Sequence, residues 1–340
     1  MTKNYARSTY RMISLCLIAA VMATVFMVST RRSLAVGPVT LTASAGTTGP
    51  TDYATLKDAF DAINLGTHQG TISIAISGDT TEAATATLNA SGSGSASYAT
   101  ISIQPSGGAA RTISGAIAAG SPLIDLNGAD NVTIDGLNTG GNALTISNTT
   151  ASATSGTSTV RFINGATGNT ITNSTILGST ASSVATNGAT IFFSTDANTA
   201  NGNDNNTISN SNIGPAGSNL PTKAILGNGS STTTAIGNSG IVIDNNNIFD
   251  FFGAAVTSSG VATNGGCNGW SITNNRFYQT ATRTWTTGAA HIPINITPST
   301  STSGAQGFTI TGNIIGYASN TQTGTYTLTG STGIFRGIVF

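Results

Sequence analysis

The sequence predicts an all-β solenoid built from short, stacked parallel strands. Three observations lead there. The 340-residue chain carries only 7% charged residues but 42 glycines, 59 threonines and 32 asparagines, and isoleucine outnumbers leucine about two to one. Six segments share one signature at near-regular intervals, and a second apolar residue follows at a fixed distance in five of them. β-Branched residues suit strands, and too few Leu-, Glu-, Lys- and Ala-rich amphipathic stretches exist for a helical bundle. With 38% apolar residues in short clusters the chain has a core to bury, so generic disorder is excluded.

The elements follow in chain order. Lys3, Arg7 and Arg11 precede an apolar run over 12–28, and Ser33-Leu34-Ala35 then offers small residues at a cleavage position, so residues 1–35 read as an export signal. About 17 apolar residues lie at the lower limit for a membrane span, and Arg31-Arg32 after them make an uncleaved anchor the competing reading. Cys16 makes a poor lipidation site, because Leu15 before it is bulky and the apolar run continues past it. Once the signal is removed, no transmembrane segment is expected in the mature chain. Cys267 is then the one remaining thiol, so no internal disulfide forms and packing must hold the chain together.

Residues 36–70 read as a linker and a capping helix. Thr55 is the N-cap with Asp58 in capping-box position; Leu56, Ala59, Phe60 and Ile63 form one apolar stripe, and Gly66 supplies the stop. So short a helix must lay its stripe on something, here the open end of the following core.

Residues 71–340 carry the repeat. Its anchors are Ile134, Ile171, Ile208, Ile243, Ile272 and Ile310, at intervals of 37, 37, 35, 29 and 38. Ile176, Ile213, Ile248, Phe277 and Ile315 follow five positions after their anchors, whereas the first segment departs with Leu137 at three. A fixed period with a short strand and a polar turn is the mark of a solenoid. Asn173, Asn210, Asn245 and Asn274 occupy one turn position, where their amides are expected to stack rung upon rung; Gly312 interrupts that row. Stretches 149–158, 195–206, 228–238 and 297–307 are expected to leave the coil as loops.

The Asn-Thr-Ile-x-Asn pattern, its second apolar residue five positions on, and the coil at 123–137 resemble right-handed parallel β-helix proteins, bacterial secreted or cell-surface β-solenoids. Residues 53–63 followed by 70–76 are similar to the N-terminal cap and first coil of that family, and the resemblance covers about 51–340. It implies the fold. For function it leaves surface proteins, adhesins and polysaccharide-cleaving enzymes open. The chain breaks off on an apolar coil at 333–340, and the reading at this level is that the β-helix is incomplete at its C-terminal end.

The residues that carry chemistry are sparse. From residue 36 onward there are 7 basic and 12 acidic side chains, no footprint for nucleic acid. Glu82 is the single glutamate, so any hydrolytic acid pair must be built from aspartates. Asp135 and Asp244 share a repeat position but lie three rungs apart, about 14 Å and too far for a pair. The better cluster is Asp125, Asp130 and Asp135, beside Arg111 or Arg161, as the catalytic group of a polysaccharide lyase or glycoside hydrolase. The competing expectation is that these aspartates scatter over turns and faces. Asp196, Asn198, Asn201, Asp204 and Asn206 crowd one loop with oxygen ligands suited to Ca2+, without EF-hand spacing. Tyr278 and Trp285 are candidate sugar-stacking rings, while Trp270 and Phe277 fall at core positions. His68 is assigned to a surface turn and His291 to a strand edge, with no ligand spacing around either. The functional expectation is a non-enzymatic exported β-solenoid, structural or adhesive, meeting polysaccharide or a host or neighbouring cell surface. No cofactor is expected.

Overall fold

The structure is a computed structural model and describes residues 37–183, 187–195, 201–230, 234–297, 307–330 and 332–340. The expected export signal at 1–35 lies outside the described residues.

Each coil contributes three short strands, as in Val132–Asp135, Ala143–Asn148 and Ser158–Ile163. Stacking sorts them into three parallel sheets, termed here the first, second and third faces. The first face runs from His68–Ile76 to Thr309–Thr311, the second from Thr80–Glu82 to Ile314–Tyr317, and the third from Ala86–Asn89 to Ile334–Phe335. Among the described residues the second face has eight strands, one per coil. The fold is the all-β parallel solenoid that the repeat predicts.

The anchoring isoleucines stand in register on the first face. Ile74 pairs with Ile103, and the row continues through Ile134, Ile171, Ile208, Ile243 and Ile272 to Ile310. Rows of one residue type stack at about 4.8 Å, so each isoleucine packs on its copies above and below. On the second face Ile113, Ile146, Ile176, Ile213, Ile248, Phe277 and Ile315 make the matching row. The partner of Ile134 on that face is therefore Ile146, not Leu137. Here the chain makes an excursion over 137–142, closed by a bridge between Thr139 and Asn142, before it rejoins the register. Leu137 itself sits at a positive φ of 62°.

The turn asparagines stack their amides at one step only, where Asn245 Nδ2 donates to Asn210 Oδ1 at 2.9 Å, while Asn173 and Asn274 donate instead to Asp135 and Asp244 at 2.9 Å each. Asn173, Asn210, Asn245 and Asn274 all have φ between 50° and 56°, and Gly312 has 67°. Their shared property is the left-handed conformation, which Asn and Gly tolerate and branched residues do not. Gly312 thus continues the turn, while it adds no amide to the row it was expected to interrupt.

The buried amide ladder belongs to the next residue along. Asn246 donates its N–H and its Nδ2 to Asn275 Oδ1, both at 3.0 Å, and Asn275 repeats both bonds to Asn313 Oδ1 at 3.0 Å. Their Nδ2 groups also reach the carbonyls of Ile208 and Ile243 at 2.9 and 2.8 Å. Ser211 and Ser174 fill the same position on the lower rungs. A second ladder runs through Asn169 and Asn206 at the opposite corner, and a third joins Asn203 to Asn238. Ends of the stretches expected to be loops, among them Asn203, Asn206 and Asn238, are therefore buried structural positions.

The N-terminal end is closed by more than a linker and a helix. Strand Val39–Gly46 lies antiparallel on His68–Ile76, and Thr51–Tyr53 lies antiparallel on Val39–Gly46, so the edge of the first face is covered. Helix α1, Leu56–Asn64, has Thr55 as N-cap accepting from the Asp58 N–H and buries Leu56, Ala59, Phe60 and Ile63 in the common core. Glu82, from the first coil, is buried and accepts from the Leu56 and Lys57 N–H groups and from Thr80 Oγ1, each at 3.0 Å. The lone glutamate thus satisfies helix donors that have no intrahelical partner and places negative charge at the positive end of the dipole.

Three stability outcomes follow from these contacts. Glu82→Ala strands two helix N–H groups and should lower the denaturant midpoint by about 1–3 kcal/mol equivalent. Asn275→Ala opens the amide ladder and should cost a similar ~1–3 kcal/mol. Asn274→Gly keeps the left-handed turn and should cost well under that in the same urea titration.

Candidate functional site

The three candidate aspartates occupy three different parts of the coil. Asp125 lies on the third face opposite Arg161 of the next rung, which closes a bidentate ion pair with Nε at 2.8 Å and Nη2 at 2.7 Å. Its carboxylate is almost fully covered, with 8% of the side chain exposed. Asp130, at the corner between third and first faces, accepts from the Thr167 N–H at 2.7 Å, and burial raises its pKa. Asp135 ends its first-face strand and accepts from the Leu137 N–H at 2.8 Å and Asn173 Nδ2 at 2.9 Å. Among the described residues no hydrogen bond joins one of these carboxylates to another. Arg111 stands on the second face and donates to the Ser106 carbonyl at 3.2 Å. Asp135 and Asp244 are three rungs apart in register, with Thr172 and Ser209 between them.

The predicted calcium loop is described only in part. Asp196 and Asn198 lie outside the described residues. Asp204 accepts from the Ser239 N–H at 2.7 Å, and Asn206 belongs to a buried ladder. Among the described residues no group of three His, Cys, Asp or Glu side chains is placed to hold a metal ion.

Tyr278 and Trp285 are both largely buried, at 8% exposure each. Tyr278 stacks on Phe249 with centroids 5.4 Å apart and 12° between planes, so one ring face is covered. Burial, aided by the charge of Asp250, pushes its hydroxyl pKa up to about 12. Trp285 packs against Phe252, with centroids 6.1 Å apart. Trp270 and Phe277 lie in the core, as their repeat positions predict. Among the described residues the exposed rings are instead Tyr317, Phe335 and Phe340, and an open hollow of about 280 Å³ is lined by Gly316, Tyr326, Leu328 and Phe335.

Both histidines depart from the sequence assignment. His68 is buried rather than in a surface turn: Nδ1 donates to the Thr47 carbonyl at 2.5 Å, which leaves Nε2 to accept from the Tyr53 hydroxyl at 2.7 Å. His291 is buried within the third-face strand Ala290–Thr297. Its Nδ1 meets Ser258 Oγ at 2.7 Å, its Nε2 meets the Tyr326 hydroxyl, and its ring stacks on Phe251 at 4.9 Å. Ser258 and Tyr326 lie 33 and 35 residues away, about one coil on either side. Only the repeat period itself contains that signal. The Ser258 hydroxyl is fully buried against the ring, so the pair has no approach for a substrate. Close by, Asp250 and Arg283 form a buried ion pair at 2.6 Å.

Two further reactive groups are also built into the fold. Lys223 is buried, donates to the Ser182 and Ser183 carbonyls, and has its pKa brought down to about 8 by burial. Burial drives the Cys267 thiol up to about 12, which makes it inert packing.

This arrangement defines the class: a parallel β-solenoid whose ionisable groups are mostly bound into its own rungs. No family model matches the sequence, and no curated protein matches it. Among solved structures, the surface adhesin PfbA of Streptococcus pneumoniae is similar at 16% identity over 78% of this chain and 75% of its own, with a TM-score of 0.39. A second structure of PfbA aligns at 16% identity over 83% and 84%, TM-score 0.36. ORF18 of Geobacillus virus E2 aligns at 14% identity over 87% and 63%, TM-score 0.30.

The His291 environment sets a pH dependence. Burial, with the Arg283 charge, lowers its pKa to about 3 from an ordinary 6.5, so the folded state keeps the ring neutral. The unfolded chain binds the proton first, so this contribution is complete above about pH 6.5 and lost as pH falls toward 3. The unfolding free energy of the wild type from urea titration should fall between pH 7 and 4, by about 1–4 kcal/mol. His291→Asn should be less stable at pH 7 and show a flatter profile.

Proposed function

We propose that this chain is an exported, non-enzymatic β-solenoid that acts as a structural or adhesive module, secreted or held at a bacterial surface. One observation carries the reading: the candidate carboxylates are occupied in holding rungs together. Asp125 is matched by Arg161, Asp130 by a backbone N–H, and Asp135 by Leu137 and Asn173. A hydrolytic pair needs two carboxyls about 5–10 Å apart across an open groove, one of them free to exchange a proton. The basic, apolar N-terminal segment supports export. Among the described residues no helix is long and apolar enough to cross a membrane. The partners that suit a sparsely charged, hydroxyl- and amide-rich solenoid are polysaccharide and the surface of a host or neighbouring cell. Ca2+ is a candidate ion for the loop that includes Asp204.

The test is a glycan array probed with the full chain, with release of reducing ends scored in the same wells, with and without Ca2+. The expected result is retention without release, unchanged by Asp135→Asn. Release that disappears in Asp135→Asn makes the chain a carbohydrate-active enzyme and overturns the reading.

A further inference from the structure

The first face carries two parallel columns of outward side chains on either side of the buried isoleucine row. In register, the first column reads Ser73, Ser102, Thr133, Thr170, Thr207, Val242, Ser271 and Thr309. Seven of these eight residues carry a hydroxyl, none is ionisable, and the exception, Val242, is the isostere of threonine. The second column reads Ala75, Gln104, Asp135, Thr172, Ser209, Asp244, Thr273 and Thr311, so four of its eight positions carry a hydroxyl. Register runs without a shift from Thr71 to Thr311, and among the described residues the first-column hydroxyls make no side-chain hydrogen bond to protein. The other faces differ. The second bears the Phe249–Tyr278 stack and a register shift, and the third runs through the Asp125–Arg161 pair and buried Phe192 and Leu226.

The face is therefore a two-dimensional lattice with known repeats. Rungs recur at about 4.8 Å, and alternate residues along a strand at about 6.7 Å. Water in its hexagonal solid has the same order of spacing. An O···O hydrogen bond of about 2.75 Å with tetrahedral geometry places second-neighbour oxygens about 4.5 Å apart, and repeats about every 7.4 Å along the hexagonal axis. The rung mismatch of about 0.3 Å reaches half an ice period only after about seven rungs, close to the full length of the face. β-Branching restricts threonine at χ1, so hydroxyl and methyl are presented in a repeated orientation without further ordering cost. A methyl beside each hydroxyl lets ordered water close over the surface, and the absence of charge in the first column leaves no tightly held hydration shell to displace. Each contact is weak, but the contacts are rigidly linked and act together.

We propose that the first face binds ice, with the Ser73–Thr309 column and its neighbouring column as the contact surface. The inference does not depend on export or on sugar binding. A negative ice result beside a positive glycan array would remove this inference alone.

The test is ice-affinity partition and inhibition of ice recrystallisation by the full chain. The wild type should be enriched at least tenfold in slowly grown ice over a non-binding control protein. Thr207→Tyr, which plants a bulky ring in the centre of the column, should lose at least tenfold of that activity with unchanged circular dichroism. Thr207→Val, which keeps shape and methyl, should stay within about threefold, and Thr145→Tyr on the second face should have no effect. If Thr207→Tyr fails to fold, Thr309→Tyr on the exposed last rung replaces it. Exclusion of the wild type from ice, or equal loss from Thr145→Tyr and Thr207→Tyr, overturns the proposal.

Discussion

Everything in this molecule depends on parallel strands stacking in register, one coil on the next. A coil cannot bury its apolar face or satisfy its strand edges alone, so each rung is completed by its neighbours. The turn between first and second faces is where this requirement is tightest. It needs a left-handed residue on every rung from Asn173 onward and a buried side chain behind it that bonds to the rung above. Asn meets the first need at Asn173, Asn210, Asn245 and Asn274, and the second at Asn246, Asn275 and Asn313. Adjacent asparagines in one turn therefore differ in duty: the first supplies the left-handed conformation and part-exposed bonds such as Asn245 to Asn210, the second the buried ladder.

The same stacking rule decides what becomes of the few charges. A carboxylate on a solenoid face has close neighbours only on its own coil and on the rungs either side. Asp125 finds Arg161 there, and Asp244 finds Thr273 and Asn274. Glu82 lies where no lower rung exists, and it turns to the helix that closes the end. Pairing on successive rungs ties neighbouring coils together. What the solenoid offers outward is regular repetition of hydroxyls and amides, a property of a binding or structural surface.

Legibility in the sequence followed how locally each feature is specified. The isoleucine rows, the helix stripe at Leu56, Ala59, Phe60 and Ile63, and the Thr55 cap are set by short-range spacing, and they stand where they were expected. Leu137 misled because an excursion of several residues preserves the rung while breaking the count, so Ile146 carries the row. His68 and His291 misled for another reason. Isolated polar residues in a polar sequence look exposed, yet Tyr53 and Thr47 enclose the first while Ser258, Phe251 and Tyr326 enclose the second. These partners come from the N-terminal cap segment and from other coils, and share no local motif.

The sequence by itself determined the repeat, the parallel stacking it imposes, the capped N-terminal end and the scarcity of charge, because period and composition are properties of the chain. Only the tertiary structure decided which amides are buried, which carboxylates find partners, and which of three faces stays bare. Those outcomes depend on residues about 30–40 positions apart meeting on adjacent rungs, and small changes in loop length between anchors move them. The physical reason is that a hydrogen bond or ion pair is decided within about an ångström, far finer than a period that ranges from 29 to 38 residues.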